Sequence, residues 1–193
     1  MPKRARTKSL PQVLELRIVL RDVEPEIWRQ VLLPDVFSLD ALHRVLQECF
    51  GWMDYHLYSF QLDGVEYEAP DEEAEGRDAT RTTLASLALT PESRLAYTYD
   101  FGDDWVHDIR LVATHPQHPD AQYPCCVDGA RAGPPEDSGG PHGYAELLRQ
   151  LADPTDPEFL ASRTWVGAHF QPDTFDLRAA NRILMLAFPD RAR

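Results

Sequence analysis

Basic residues are scarce in this chain: 19 Lys+Arg stand against 32 Asp+Glu, a formal net charge of −13. So acidic a body repels polyanions, which excludes a plain DNA-coating role and argues against a nucleic-acid partner. Cysteine is scarce too. Three residues, with Cys125 and Cys126 adjacent, cannot form a disulfide framework and fit a reducing compartment. No stretch approaches the ~18 consecutive apolar residues of a membrane span, and no apolar segment follows the basic N-terminus. The expectation is a cytoplasmic protein without a membrane partner. No internal repeat is visible, and no Lys follows a glycine loop in nucleotide-binding spacing.

What is present is 43% hydrophobic and 10% aromatic residues over 193 positions, enough for one sizeable core. The expected organisation is a single domain over residues 10–193 behind a basic tail, 1–9. Lys3, Arg4, Arg6 and Lys8 make that tail electrostatically distinct, leaving 15 bases against 32 acids in the rest. It is expected to be a disordered solubilising terminus, the alternative being an arm that touches phosphate or an acidic partner.

From Val13 apolar and polar residues alternate (Leu14, Leu16, Ile18, Leu20 against Glu15, Arg17, Arg21), which predicts a half-buried strand. Pro25 interrupts it, and Ile27 to Leu33 predicts an antiparallel partner. Ser38 then precedes Leu39, Leu42, Leu46, Cys49 and Phe50 at helical spacing, closed by Gly51. Asp63-Gly64 marks a hairpin between Leu57–Leu62 and Val65–Tyr67. Seven acids and one base between Glu66 and Asp78 predict a mobile acidic loop, placed at 69–82. Thr83 to Leu89 predicts a helical turn, and Arg94–Tyr99 with Val106–Thr114 a third hairpin. Six prolines (Pro116, Pro119, Pro124, Pro134, Pro135, Pro141) predict one long loop over 115–143. Three helices follow, over Tyr144–Leu151, Glu158–Val166 and Asp176–Leu186. Strands first and helices mainly C-terminal predict an α+β fold, an antiparallel sheet of hairpins with helices packed on it.

Three clusters carry the chemistry. Asp100-Phe101-Gly102-Asp103-Asp104-Trp105-Val106-His107-Asp108 sets four carboxylates and an imidazole within nine residues. Such oxygens suit a divalent cation, with Asp103, Asp104 and His107 as the tentative ligands. The plainer reading gives Gly102 a positive φ, commits the aspartates to the turn backbone and buries Trp105 in the core. The second cluster places His56, Tyr58 and Phe60 on one strand face; His56 and His107 would converge with Asp103 or Asp104 if the hairpin pairs nearby. In the third, Pro134-Pro135-Glu136-Asp137-Ser138-Gly139-Gly140, a turn lets one of Glu136 and Asp137 serve a site while the other fixes the loop or helix. Cys125-Cys126 lacks C-x-x-C spacing, so a zinc site there needs distant partners such as His142 or His115.

Five segments, LRIVLRDVEPEIWRQVLLP, LDALHRVLQECFGWMDYHLYSF, YTYDFGDDWVHDI, YPCCVDGARAGPPEDSGGPHGY and FDLRAANRIL, in that order over nearly the whole chain, resemble the plasmid pRiA ORF-three-like family of plasmids and mobile elements. The resemblance implies an α+β roll. Its members are uncharacterised and often carry the label transposon-passenger TnpR-like protein or resolvase. Relatives often have cysteines at the positions of Cys126, Gly133 and Ser138, of which only Cys126 is cysteine here. A serine recombinase needs a nucleophilic serine among arginines and a basic DNA-binding segment. Here Ser9 lies in the tail, Ser38 reads as a helix cap and the body is acidic, so resolvase activity is not expected.

The leading functional expectation is a binding or regulatory module that meets a protein partner through the DFGDDW hairpin and the PPED loop. The alternative is a divalent-metal-dependent hydrolase or nuclease built from Asp103, Asp104, His107, His56 and Glu136. Convergence of these side chains on one cleft separates the two.

Overall fold

The computed structural model of the chain describes residues 11–70 and 74–189; the tail lies outside them. Its strands are β1 (Gln12–Leu20), β2 (Trp28–Pro34), β3 (Tyr58–Leu62), β4 (Val65–Glu68), β5 (Arg77–Asp78), β6 (Leu95–Tyr99), β7 (Trp105–Pro116) and β8 (Cys125–Ala130). They form a sheet in the order β5-β4-β3-β6-β7-β1-β2-β8, antiparallel except for β4 and β5. The helices are α1 (Leu39–Phe50), α2 (Leu84–Leu87), α3 (Gly140–Ala152), α4 (Phe159–Val166) and α5 (Leu177–Ala187). The fold is α+β, with its helices mostly C-terminal.

The alternation in β1 does what its period predicts: Leu16, Ile18 and Leu20 are buried, while Arg17 faces out over the Trp28 ring and pairs with Glu26. The buried face meets α1, whose Leu39, Leu42, Val45 and Leu46 are fully inside. Ser38 Oγ accepts from Ala41 N at 3.1 Å, and Gly51 closes the helix at φ 82°. Both ends of α1 therefore form as their sequence demands. The face of α1 toward β6 also carries His43 and Gln47, both bonded to the Tyr97 hydroxyl. This polar pair pins the following loop: His43 Nε2 lies 2.8 Å from Asp54 Oδ1, and Asp54 N donates to Gln47 Oε1.

Two loop expectations need correction. The stretch 115–143 is not one loop, because β7 runs to Pro116, β8 pairs with β2, and α3 begins at Gly140. Pro124 stands just ahead of β8, so the short run Cys125–Ala130 keeps the amides its ladder needs. The acidic loop is likewise fastened at its far end. There β5 pairs with β4, Ala79 N donates to Glu68 O, and the Asp78 carboxylate accepts from Thr80.

Candidate metal centre

The β6–β7 turn, the loop after α1 and the PPED loop meet at one end of the sheet. In the turn, Asp100 (φ 55°) and Asp104 (φ 55°) take the left-handed conformation; Gly102, expected to do so, does not. Asp100 stops the strand because its Oδ1 accepts from Gly102 N at 2.9 Å while its carbonyl accepts from Asp104 N at 2.7 Å. Its other oxygen, Oδ2, is turned away from the turn, and the residue is only 7% exposed.

The PPED loop is stapled over the loop after α1. Trp52 Nε1 donates to Pro134 O at 2.9 Å, and Glu136 Oε1 accepts from Met53 N at 2.8 Å and from the Tyr99 hydroxyl at 3.0 Å. Tyr99 also accepts from Tyr55 N, and burial beside the Glu136 carboxylate raises its pKa, so it stays a phenol donor. Asp103 Oδ2 accepts from Gly139 N at 3.0 Å, tying the turn to the start of α3. Position 140 must be glycine, since φ is 67° and a Cβ there would run into the Asp103 carbonyl.

These staples bring His56, Asp100 and Asp137 together. His56 Nε2 lies 3.2 Å from Asp137 Oδ1 and 3.6 Å from Asp100 Oδ2. One ligand atom from each of the three falls within 4.8 Å of the others. Two ligands bound tetrahedrally at about 2.1 Å to one ion lie roughly 3.4 Å apart, so the spacing suits a divalent cation with little adjustment. Nε2 is shielded from solvent yet makes no hydrogen bond. Glu136 Oε2, on the residue preceding Asp137, is also shielded and without a hydrogen-bond partner.

The expected ligand set is assembled differently. Asp103, Asp104 and His107 do not converge: Asp103 is committed to Gly139, Asp104 is exposed at the turn, and His107 is wholly buried. Phe50, Trp52 and Tyr97 surround the His107 ring, and burial drives its pKa down to about 3. Alternation along β7 puts residues 105, 107 and 109 inward, so Trp105 and His107 are core and point away from the turn. His56 and Asp137 are in the group, and Glu136 is the staple beside them, the division of labour that the adjacent acids suggested. Asp100 was not singled out from its cluster; its signal is its place directly after β6, two residues before Gly102. Cys125 and Cys126 join no metal-ligating group among the described residues; Cys126 is held by Asn181 instead.

Two clefts open beside the centre. One, about 340 Å³, is lined by Asp137, Ser138, Gln150, Ser162 and Trp165, and the other, about 200 Å³, by Leu57, Pro70 and Phe101. Met53 (63% exposed), Tyr55 (69%), Leu57 (62%) and Phe101 (53%) project around it. Ser38, weighed as a nucleophile, has its hydroxyl occupied in the α1 cap.

The comparisons with known proteins agree with this architecture and carry no assigned activity. A crystal structure of a protein of unknown function, MM3350 from Methanosarcina mazei, superposes with a TM-score of 0.82 at 33% identity, over 88% of this chain and 98% of that one. The uncharacterized protein y4hQ of Sinorhizobium fredii is 38% identical over 172 residues, 88% of this chain and 86% of its own. None of the described helices is long and apolar enough to cross a membrane. The family model for plasmid pRiA4b ORF-3-like proteins matches residues 12–179, and the chain belongs to that family.

Proposed function

We propose that this protein binds one divalent transition-metal ion through His56 Nε2, Asp100 Oδ2 and Asp137 Oδ1, and that the ion supports hydrolytic chemistry. The observation that carries this reading is the shielded Nε2 turned toward two carboxylates, at 3.2 and 3.6 Å, without a hydrogen bond to either. Mixed imidazole and carboxylate donors suit zinc, manganese or iron, and three protein ligands leave positions for water and substrate. A bound ion would supply a water of lowered pKa. Glu136 Oε2, held in place through its partner oxygen, is the group that would take that water's proton.

A second reading, a module that docks a protein partner, draws on the apolar rim of Met53, Tyr55, Leu57 and Phe101 around the same turn. The two are separated by titrating metal-stripped protein with Zn²⁺ and Mn²⁺ by calorimetry, followed by phosphodiester and ester hydrolysis assays. One equivalent bound, with turnover that chelator abolishes, is the expected result. Failure to bind either ion contradicts the metal reading and leaves the docking module.

A further inference from the structure

On β2 an arginine sits in the core with no carboxylate partner among the described residues. Arg29 on β2 is 1% exposed. Its Nε donates to Cys49 O at 2.7 Å, and Nη1 donates to Trp28 O at 2.8 Å and to Ala130 O at 2.9 Å. Nη2 makes no hydrogen bond, and no carboxylate lies within ion-pair distance, among the described residues. The guanidinium is sandwiched between the rings of Phe175, 3.8 Å away, and Phe50, 4.7 Å away. Those contacts orient the fork but leave its charge without an anion. Burying an unpaired charge is costly; desolvation lowers the Arg29 pKa to about 10, so it remains a cation at neutral pH.

Arg29 lines a cleft of about 360 Å³ whose other walls include Phe50, Val166, Phe170, Phe175 and Ile183. With Nε and Nη1 committed, Nη2 is the nitrogen of this lining residue left without a hydrogen bond among the described residues. Glycines shape this wall. A Cβ at position 129 would meet the Phe175 ring at 2.7 Å, and one at 133 would run into the Phe50 carbonyl. The far wall is pinned by Ala132 N to Pro172 O at 3.1 Å and by the Arg131–Asp173 ion pair at 2.5 Å. Two acids also border the cleft. Asp176 is occupied capping α5 through Ala179 N, and partial burial raises the pKa of Glu48.

We propose that this cleft binds a small monocarboxylate with an apolar body, its carboxylate on Arg29 Nη2 and its hydrocarbon against the phenylalanine walls. The one uncommitted nitrogen of the guanidinium edge can donate a charge-assisted hydrogen bond to a carboxylate oxygen, and a mostly apolar cleft of this size is the usual form of a small-ligand site. Glu48 and Asp176 nearby oppose a doubly charged phosphate more than a single carboxylate. The cleft shares no ligand residue with the metal centre, so either reading can fail alone.

The test is titration of the ¹⁵N-labelled full chain with hexanoate, hexanol and inorganic phosphate, following the amides of residues 129–133, 166–171 and 173–180. Saturable one-site binding of hexanoate is expected, with hexanol and phosphate each at least tenfold weaker. Ala179 also lines the cleft, and Ala179→Trp, which fills it while keeping Arg29, should weaken hexanoate at least tenfold; Glu48→Gln should tighten it about threefold. Arg29→Lys is expected to lose binding; because it also removes donors from backbone carbonyls, Ala179→Trp decides the matter if that variant does not fold. Absence of saturable hexanoate binding overturns the proposal. So does equal binding of hexanol or of phosphate, or hexanoate binding that Ala179→Trp leaves unchanged.

Discussion

His56 and His107 flank one hairpin and meet opposite surroundings. His107 is enclosed by Phe50, Trp52 and Tyr97, and burial keeps its imidazole neutral. His56, in the loop ahead of β3, keeps one ring edge against the Tyr99 ring and turns Nε2 toward Asp100 and Asp137. The sequence neighbourhood of His107 is the richer in acids, yet the strand carries its side chain into the core. Ligand chemistry is set by which way the backbone aims a side chain, and only secondarily by how many acids lie nearby in sequence.

Several substitutions sharpen or break that contrast. The largest expected effect is on the core side, where Trp105→Ala should cost about 3–5 kcal/mol in urea unfolding, since a wholly buried indole leaves a cavity. Acid is the next lever. The unfolded imidazole has a pKa near 6.5 and the native His107 one near 3, so the native core refuses a proton that the unfolded chain accepts. His107 thus contributes its full stabilisation above pH 6.5, and stability falls toward pH 3 by up to about 1.4 kcal/mol per pH unit. His43, whose pKa burial also lowers, adds in the same direction. His107→Phe should flatten this slope, and an unchanged slope by pH-dependent denaturation would count against the buried neutral imidazole. Gly140→Ala should cost about 1–3 kcal/mol, because the residue adopts a left-handed φ against the Asp103 carbonyl. Ser38→Ala, remote from both histidines, should cost about 1 kcal/mol through the lost cap and leave ligand titrations unchanged.

Local signals that act within one element were readable from the residues alone. Alternation in β1, the Ser38 and Gly51 ends of α1 and the Asp63-Gly64 turn depend on neighbouring positions, and each element formed where its pattern lay. β8 was obscured because proline density outweighed a six-residue run, and its pairing depends on the free edge of β2, far away in sequence. The centre was half legible for the same reason. His56 and Asp137 stood out by residue type, but their meeting depends on Glu136 reaching Met53 and Tyr99, and on Asp103 reaching Gly139, contacts between loops that no spacing encodes. His43 and Gln47 were missed among the apolar positions of α1, although their spacing of four places them on one helix face.

The measurement that bears most directly on the metal centre is zinc affinity by calorimetry for the wild-type chain, the His56→Ala variant and the Asp103→Ala, Asp104→Ala double variant. The account predicts one equivalent bound by the wild type, at least a hundredfold weaker binding in His56→Ala, and near wild-type affinity in the double variant. Binding lost in the double variant but kept in His56→Ala would contradict it and return the ligands to the turn.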